Sequence, residues 1–130
     1  MKIFVNGTFD ILHRGHLEML EYAKSLGVYL LVAIDTDRRV QELKGLTRPI
    51  NNQYDRQFFL KKLRSVDDVW FFNSEEELEY ILESYRPDIM VKGSDYRDKP
   101  IVGSQYCKEI KFYEHTGHST TGLIQRITNR

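Results

Sequence analysis

Residues 2–34, KIFVNGTFDILHRGHLEMLEYAKSLGVYLLVAI, hold a strand, a turn, a helix and a second strand in succession, and this order decides the fold. Residues 2–6 are an apolar, β-branched run that stops at Gly7, the pattern of a buried strand. In residues 16–26, Leu17, Leu20, Ala23 and Leu26 recur at helical spacing, and Gly27 stands where a C-terminal cap belongs. Residues 28–34 are continuously apolar, as in a strand covered on both faces, and run into Asp35-Thr36-Asp37.

The alternation continues outward. A short helix is expected over residues 36–43. Lys44-Gly45-Leu46-Thr47-Arg48-Pro49 reads as a loop, and Asn51 or Asn52 caps a helix to about residue 64. Residues 69–72 form an aromatic strand, with Trp70 read as core. Ser74 and Glu77 then make a capping box for a helix whose buried stripe is Leu78, Ile81, Leu82 and Tyr85. Pro87 ends that helix, and residues 88–91 are a fourth strand leading into Lys92-Gly93-Ser94-Asp95-Tyr96. Residues 110–113 are a weaker fifth strand. Ser119, Thr120 or Thr121 caps a last helix with Leu123, Ile124 and Ile127 facing inward. Strands alternating with helices imply parallel pairing through right-handed crossovers. The expectation is therefore one domain over residues 1–130, an α/β, Rossmann-like, doubly wound parallel sheet of five strands in the order 3-2-1-4-5, with helices on both faces. Its ligand crevice lies beyond the carboxyl ends of strands one and four, where the winding reverses.

Composition narrows the function. The 19 Lys and Arg balance 19 Asp and Glu, so there is no basic excess for neutralising a phosphate backbone, and nucleic acid is not an expected partner. With 41% hydrophobic and 12% aromatic residues, a packed core is available and wholesale disorder is excluded. No apolar run approaches the ~18 residues that span a bilayer, and the N-terminus lacks a signal peptide's apolar region. A cytoplasmic protein with no membrane partner is expected. Cys107 is the single cysteine, which excludes an intrachain disulfide and a cysteine-rich zinc site.

The end of strand one carries His13 and His16, three residues apart at the start of a helix and hence on one face. Backbone N–H groups at a helix N-terminus and imidazoles beside them suit a polyphosphate, with Gly7 and Gly15 allowing close approach. A capping turn with solvent-facing histidines, or a zinc site on the histidine pair, fits the spacing too.

Gly7-Thr8-Phe9-Asp10 followed by His13-Arg14-Gly15-His16 resembles the His-x-Gly-His signature of the cytidylyltransferase-like nucleotidyltransferase superfamily. The likeness is greatest to the adenylyltransferase domain of bifunctional heptose-phosphate kinase/adenylyltransferases. It implies that His13 and His16 contact nucleotide phosphates and stabilise the transition state, with Thr8 and Phe9 also at the nucleotide. It further makes Lys44, in Leu43-Lys44-Gly45, a catalytic phosphate-binding residue on a loop able to close over the site. Lys92, Gly93 and Asp95 fall opposite the histidines: the lysine suits phosphate, and the aspartate suits ribose hydroxyls, a metal, the acceptor or a local backbone partner. Ser119, Thr120 and Thr121 resemble the Ser-Thr-Thr motif that places hydroxyls on nucleotide phosphates, and plain N-capping is the other use of such residues. Arg126 sits one turn on, where it could reach phosphate or act as a cation near a helix end. Of the acids after strand two only Asp37 matches the family pattern. Arg56 reads as a structural ion-pair former. Glu114 stands where glycerol-phosphate-type cytidylyltransferases carry an arginine, which argues against cytidine.

The resemblance thus implies an enzyme that moves AMP from ATP to a sugar 1-phosphate, D-glycero-D-manno-heptose 1-phosphate, and releases pyrophosphate with Mg²⁺. The alternative is a CTP-dependent enzyme acting on glycerol 3-phosphate or another phosphoalcohol. Expected partners are ATP (or CTP), a phosphorylated sugar or alcohol, a second copy of the chain in a homodimer, and a separate sugar kinase.

Overall fold

The computed structural model describes residues 1–114 and 120–128. Five strands, β1 (Lys2–Gly7), β2 (Tyr29–Asp35), β3 (Asp68–Phe72), β4 (Ile89–Gly93) and β5 (Glu109–Tyr113), pair in parallel in the order β3-β2-β1-β4-β5. The doubly wound sheet read from the alternation is therefore present. The helices are α1 (Arg14–Ser25), α2 (Asp37–Lys44), α3 (Gln53–Lys61), α4 (Glu75–Tyr85) and α5 (Thr120–Thr128).

Side-chain alternation along the strands builds two cores. On one face Ile3, Val5, Leu30, Val32, Ile34 and Val91 pack with Leu20 and Ala23 of α1 and Leu60 of α3. On the other Phe4, Leu31, Ala33, Phe72 and Met90 pack with Leu78, Ile81 and Leu82 of α4. Burial on both faces is why the inner strands are apolar without interruption. No described helix is long and apolar enough to cross a membrane.

Several boundaries differ from expectation, each for a local reason. Helix α1 starts at Arg14 because His13 supplies the cap, and it ends in a right-handed Leu26. Gly27 is not a left-handed cap: a Cβ there would lie 2.5 Å from the Met1 carbonyl oxygen and 2.9 Å from the Ile3 side chain. Helix α2 extends through Lys44, and the loop begins at Gly45, whose φ of 98° favours glycine. Helix α3 stops at Lys61, where Leu63 and Val66 N–H groups turn back to the carbonyls of Leu60 and Leu63. At α4, Glu77 N–H bonds Ser74 Oγ, but the Glu77 carboxylate accepts the N–H of Asn73 rather than that of Ser74. Trp70 is not core: it lies on edge strand β3, 40% exposed, and its indole N–H donates to Asp68. Ile127 is likewise exposed, while Leu123 and Ile124 are half-buried.

Candidate active site

Beyond the carboxyl ends of β1 and β4 lies a cleft of about 930 Å³, where the doubly wound topology places ligands. Its walls come from the 7–16 segment, α2 and the loop after it, the N-terminal turn of α4, and the segment after β4.

The histidine pair is held by its own helix start. His13 is the N-cap of α1: its Nδ1 accepts the N–H of Gly15 at 3.1 Å, and its backbone N–H donates to His16 Nδ1 at 3.3 Å. This reciprocal capping box stacks the rings at 3.8 Å between centroids. Because each Nδ1 accepts, the proton of each neutral ring is on Nε2. Phe9 braces the pair, its ring 5.1 Å from that of His16. Phe9 is buried and has φ of 51°, a conformation uncommon for a bulky residue and concentrated at functional sites. Gly7 completes the arrangement, since a Cβ there would meet the Phe9 ring at 3.0 Å.

Cations converge from three elements. Lys44 ends α2, Arg48 lies on the following loop and Lys92 belongs to β4, and all three line the cleft. Burial, then the neighbouring Arg48, holds Lys44 below the usual lysine value. Burial does the same to Lys92, whose ammonium lies 4.8 Å over the Tyr96 ring. Lys44 is the last residue of α2, so it sits at a helix end rather than within the loop.

Two carboxylates anchor these parts. Asp10 is buried and accepts the backbone N–H groups of Ile50 and Asn51, both at 2.8 Å, and the Arg48 Nε–H at 3.2 Å. Asp35 is buried at the end of β2, where its carboxylate accepts the Thr8 hydroxyl at 3.2 Å. Burial raises the Asp35 pKa, against the opposing effects of the Thr8 bond and of Arg39, Arg56 and Lys44.

The structure brings Thr8, Phe9, His13, His16, Lys44, Lys92, Gly93, Asp95 and Thr121 to one cleft. Asp37 does not line it; its carboxylate pairs with Arg56 at 2.8 Å. Arg56 is wholly buried and also donates to the carbonyls of Thr8, Asp35 and Asn51, which makes it the structural ion-pair former its position suggested. Arg126 is exposed on α5, away from the cleft lining. Ser119 and the side chain of Thr120 lie outside the described residues. Asn6, Asp10, Asp35, Arg39 and Arg48 also line the cleft, although the sequence pattern gives none of them a role. Asp10 belongs to the Gly7-Thr8-Phe9-Asp10 motif and Arg48 to the stretch that follows Lys44, and those memberships are the available signal.

A family model described as cytidylyltransferase-like matches residues 4–124, nearly the whole of the fold just described. The chain belongs to the cytidylyltransferase-like family. The chemistry that goes with this family is nucleotidyl transfer, and the cleft lies where such a doubly wound sheet holds its substrate.

Curated relatives sharpen the placement. The chain is 44% identical over 126 residues to the bifunctional protein HldE of a Nitratiruptor species, covering 96% of this chain and 27% of that protein. It is 45% identical over 126 residues to HldE of Campylobacter concisus, at 96% and 26% coverage. For HldE of Helicobacter pylori (strain Shi470) the figures are 44%, 96% and 27%. This cytidylyltransferase-like chain thus spans about a quarter of the length of these relatives. The likeness to a bifunctional heptose-phosphate kinase/adenylyltransferase, read from the motifs, is borne out by these matches. Among solved structures, the lipopolysaccharide core biosynthesis protein from Thermoplasma volcanium GSS1 superposes with a TM-score of 0.70 at 22% identity, over 92% of this chain and 98% of that one. At that identity the likeness is one of fold.

Proposed function

We propose that this chain transfers AMP from ATP to a sugar 1-phosphate, D-glycero-D-manno-heptose 1-phosphate, forming the ADP-sugar and pyrophosphate. The observation that carries the reading is the stacked His13–His16 pair at the start of α1, with Lys44, Arg48 and Lys92 in the same cleft.

A phosphate monoester is already a competent nucleophile near neutral pH, so the reaction needs alignment and charge stabilisation rather than an activated serine or cysteine. The acceptor phosphate oxygen attacks the α-phosphorus of ATP, and the bond to the β-phosphate bridging oxygen breaks. Negative charge grows on the departing pyrophosphate and the reacting centre. The Nε2–H donors of His13 and His16, with the cations of Lys44, Arg48 and Lys92, meet that charge. The α1 N-terminus adds backbone N–H donors and a favourable dipole.

Magnesium fits this site as an ion bound mainly by the nucleotide. Among the described residues no three His, Cys, Asp or Glu side chains cluster as a protein cage. Mg²⁺ characteristically takes one or two carboxylates plus substrate phosphates, and Asp35 and Asp95 line the cleft to serve. When bound, the ion neutralises charge on the triphosphate.

Glu114 supports ATP over CTP. It stands where glycerol-phosphate-type cytidylyltransferases carry an arginine, and here its carboxylate accepts the Ser94 hydroxyl at 3.0 Å and pairs with Arg97 at 3.6 Å. Pyrophosphate release measured with ATP and CTP, each crossed with heptose 1-phosphate, other sugar 1-phosphates and glycerol 3-phosphate, tests the reading. Release should require ATP together with heptose 1-phosphate, and release specific to CTP plus glycerol 3-phosphate overturns it.

A further inference from the structure

Among the described residues, three buried side-chain polar atoms have no hydrogen-bond partner: Asn6 Oδ1, Arg39 Nε and Arg48 Nη2. Buried polar groups are nearly always satisfied, and all three of these residues line the same cleft. Arg48 joins Lys44 in the phosphate-binding role already assigned. Asn6 and Arg39 belong to no part of the mechanism above.

Both sit on the side of the sheet away from the histidines. Asn6 follows Val5, which packs toward α1, so strand alternation turns Asn6 toward α4, and its register partner Ala33 belongs to the α4-side core. The Arg39 guanidinium lies 6.0 Å over the ring of Phe72, a residue of that same core. His13 and His16 stand at the start of α1, over the opposite face. The cleft therefore has two lobes that meet across the carboxyl edge of β1. An in-line displacement brings nucleophile and leaving group from opposite sides of the phosphorus. With the triphosphate at the α1 lobe, the α4 lobe is left for the acceptor.

The two orphaned atoms specify what that acceptor carries. The unpartnered Asn6 atom is an acceptor and the unpartnered Arg39 atom a donor, a pair that an anion, which only accepts, does not satisfy together. A hydroxyl group both donates and accepts. Phe72, Leu78, Ile101 and Val102 supply an apolar wall in the same lobe, suited to the C–H surface of a sugar. We propose that Asn6 and Arg39 form a polyol subsite that reads the hydroxyls of the acceptor, separate from the cleft's phosphate-binding cations. The assignment rests on the nucleotidyl-transfer reading for which lobe each substrate enters.

Equilibrium binding tests it by calorimetry on the whole chain, with heptose 1-phosphate, inorganic phosphate and α,β-methylene-ATP as titrants. The wild-type protein should bind heptose 1-phosphate more tightly than inorganic phosphate. Arg39→Met and Asn6→Ala should each lose about tenfold in heptose 1-phosphate affinity, the effect of one hydrogen bond, with the other two ligands unchanged within twofold. Arg39→Lys keeps the charge without the Nε–H and should behave like Arg39→Met; melting curves confirm that each variant is folded. The subsite is overturned if the variants weaken the ATP analogue as much as the sugar phosphate, or leave the sugar phosphate untouched. Full rescue by lysine, or wild-type protein that does not prefer the sugar phosphate to phosphate, also overturns it. Pyrophosphate release is scored separately, so failure of the adenylyl-transfer reading is distinguishable from failure of the subsite.

Discussion

The buried Asp10 carboxylate accepts the Arg48 Nε–H at 3.2 Å while also taking the backbone N–H groups of Ile50 and Asn51, and so ties the histidine-bearing segment to the loop after α2. The Arg48 side chain is only 13% exposed. Removing one partner of such a buried pair leaves an uncompensated charge and costs roughly 3–5 kcal/mol. Asp10→Ala should lose stability of that order in urea unfolding, and the folded fraction should bind ATP more weakly because Arg48 is no longer aimed. A variant of wild-type stability contradicts the anchoring role.

His16 caps the start of α1 and, in the proposed reaction, also donates to the transition state. His16→Ala should lower kcat by roughly 10²–10³-fold, the loss of one transition-state donor. The lost capping interaction should cost about 1 kcal/mol. Rate and melting measurements on one preparation separate the two, and near-wild-type kcat rules out the catalytic role.

Burial holds Lys92 below the usual lysine value. In the proposed site only the ammonium form of Lys92 binds phosphate, so ATP affinity should be complete below the lowered pKa and fall as pH rises through it, earlier than an ordinary lysine would dictate. Lys92→Arg keeps its charge and should hold affinity to higher pH. Titrations of an ATP analogue between about pH 7 and 10, the range below the ordinary lysine value, decide this: identical profiles for the two proteins contradict it.

Asp35 carries the opposite sign. Burial raises its folded-state pKa, so the native state binds this proton more tightly than the unfolded chain. The stability it contributes is complete below the unfolded value and is lost as pH rises through the folded one. Asp35→Asn removes the charge and keeps an oxygen for the Thr8 hydroxyl. Its Tm should exceed that of the wild type at about pH 7, with the gap closing toward about pH 4, near the unfolded carboxylate value. A gap that widens on acidification refutes the assignment.

Much of this was legible in the sequence, because period and punctuation carry it. The apolar runs at residues 2–6 and 28–34 and the helical stripe between them led directly to β1, α1 and β2 in parallel order. Trp70 was misread because hydrophobicity does not say which strand becomes the sheet edge. The site was legible where a motif has local spacing, as at His13 and His16. It was not legible where function depends on long-range burial. Asp10 meets Arg48 across 38 residues, and Arg39 gains its place over Phe72 only once the sheet is formed. Asp37 was singled out by pattern, yet its carboxylate is taken up by Arg56.

Adenylyl transfer to a sugar 1-phosphate leaves a product that identifies both substrates. Its most direct test is mass-spectrometric detection of the product after incubating the chain with Mg²⁺, heptose 1-phosphate and an equimolar mixture of ATP and CTP. ADP-heptose and pyrophosphate should appear in equal amounts, with His16→Ala product reduced about a hundredfold or more. CDP-sugar as the main product, or no nucleotide sugar from protein that demonstrably binds ATP, would contradict adenylyl transfer.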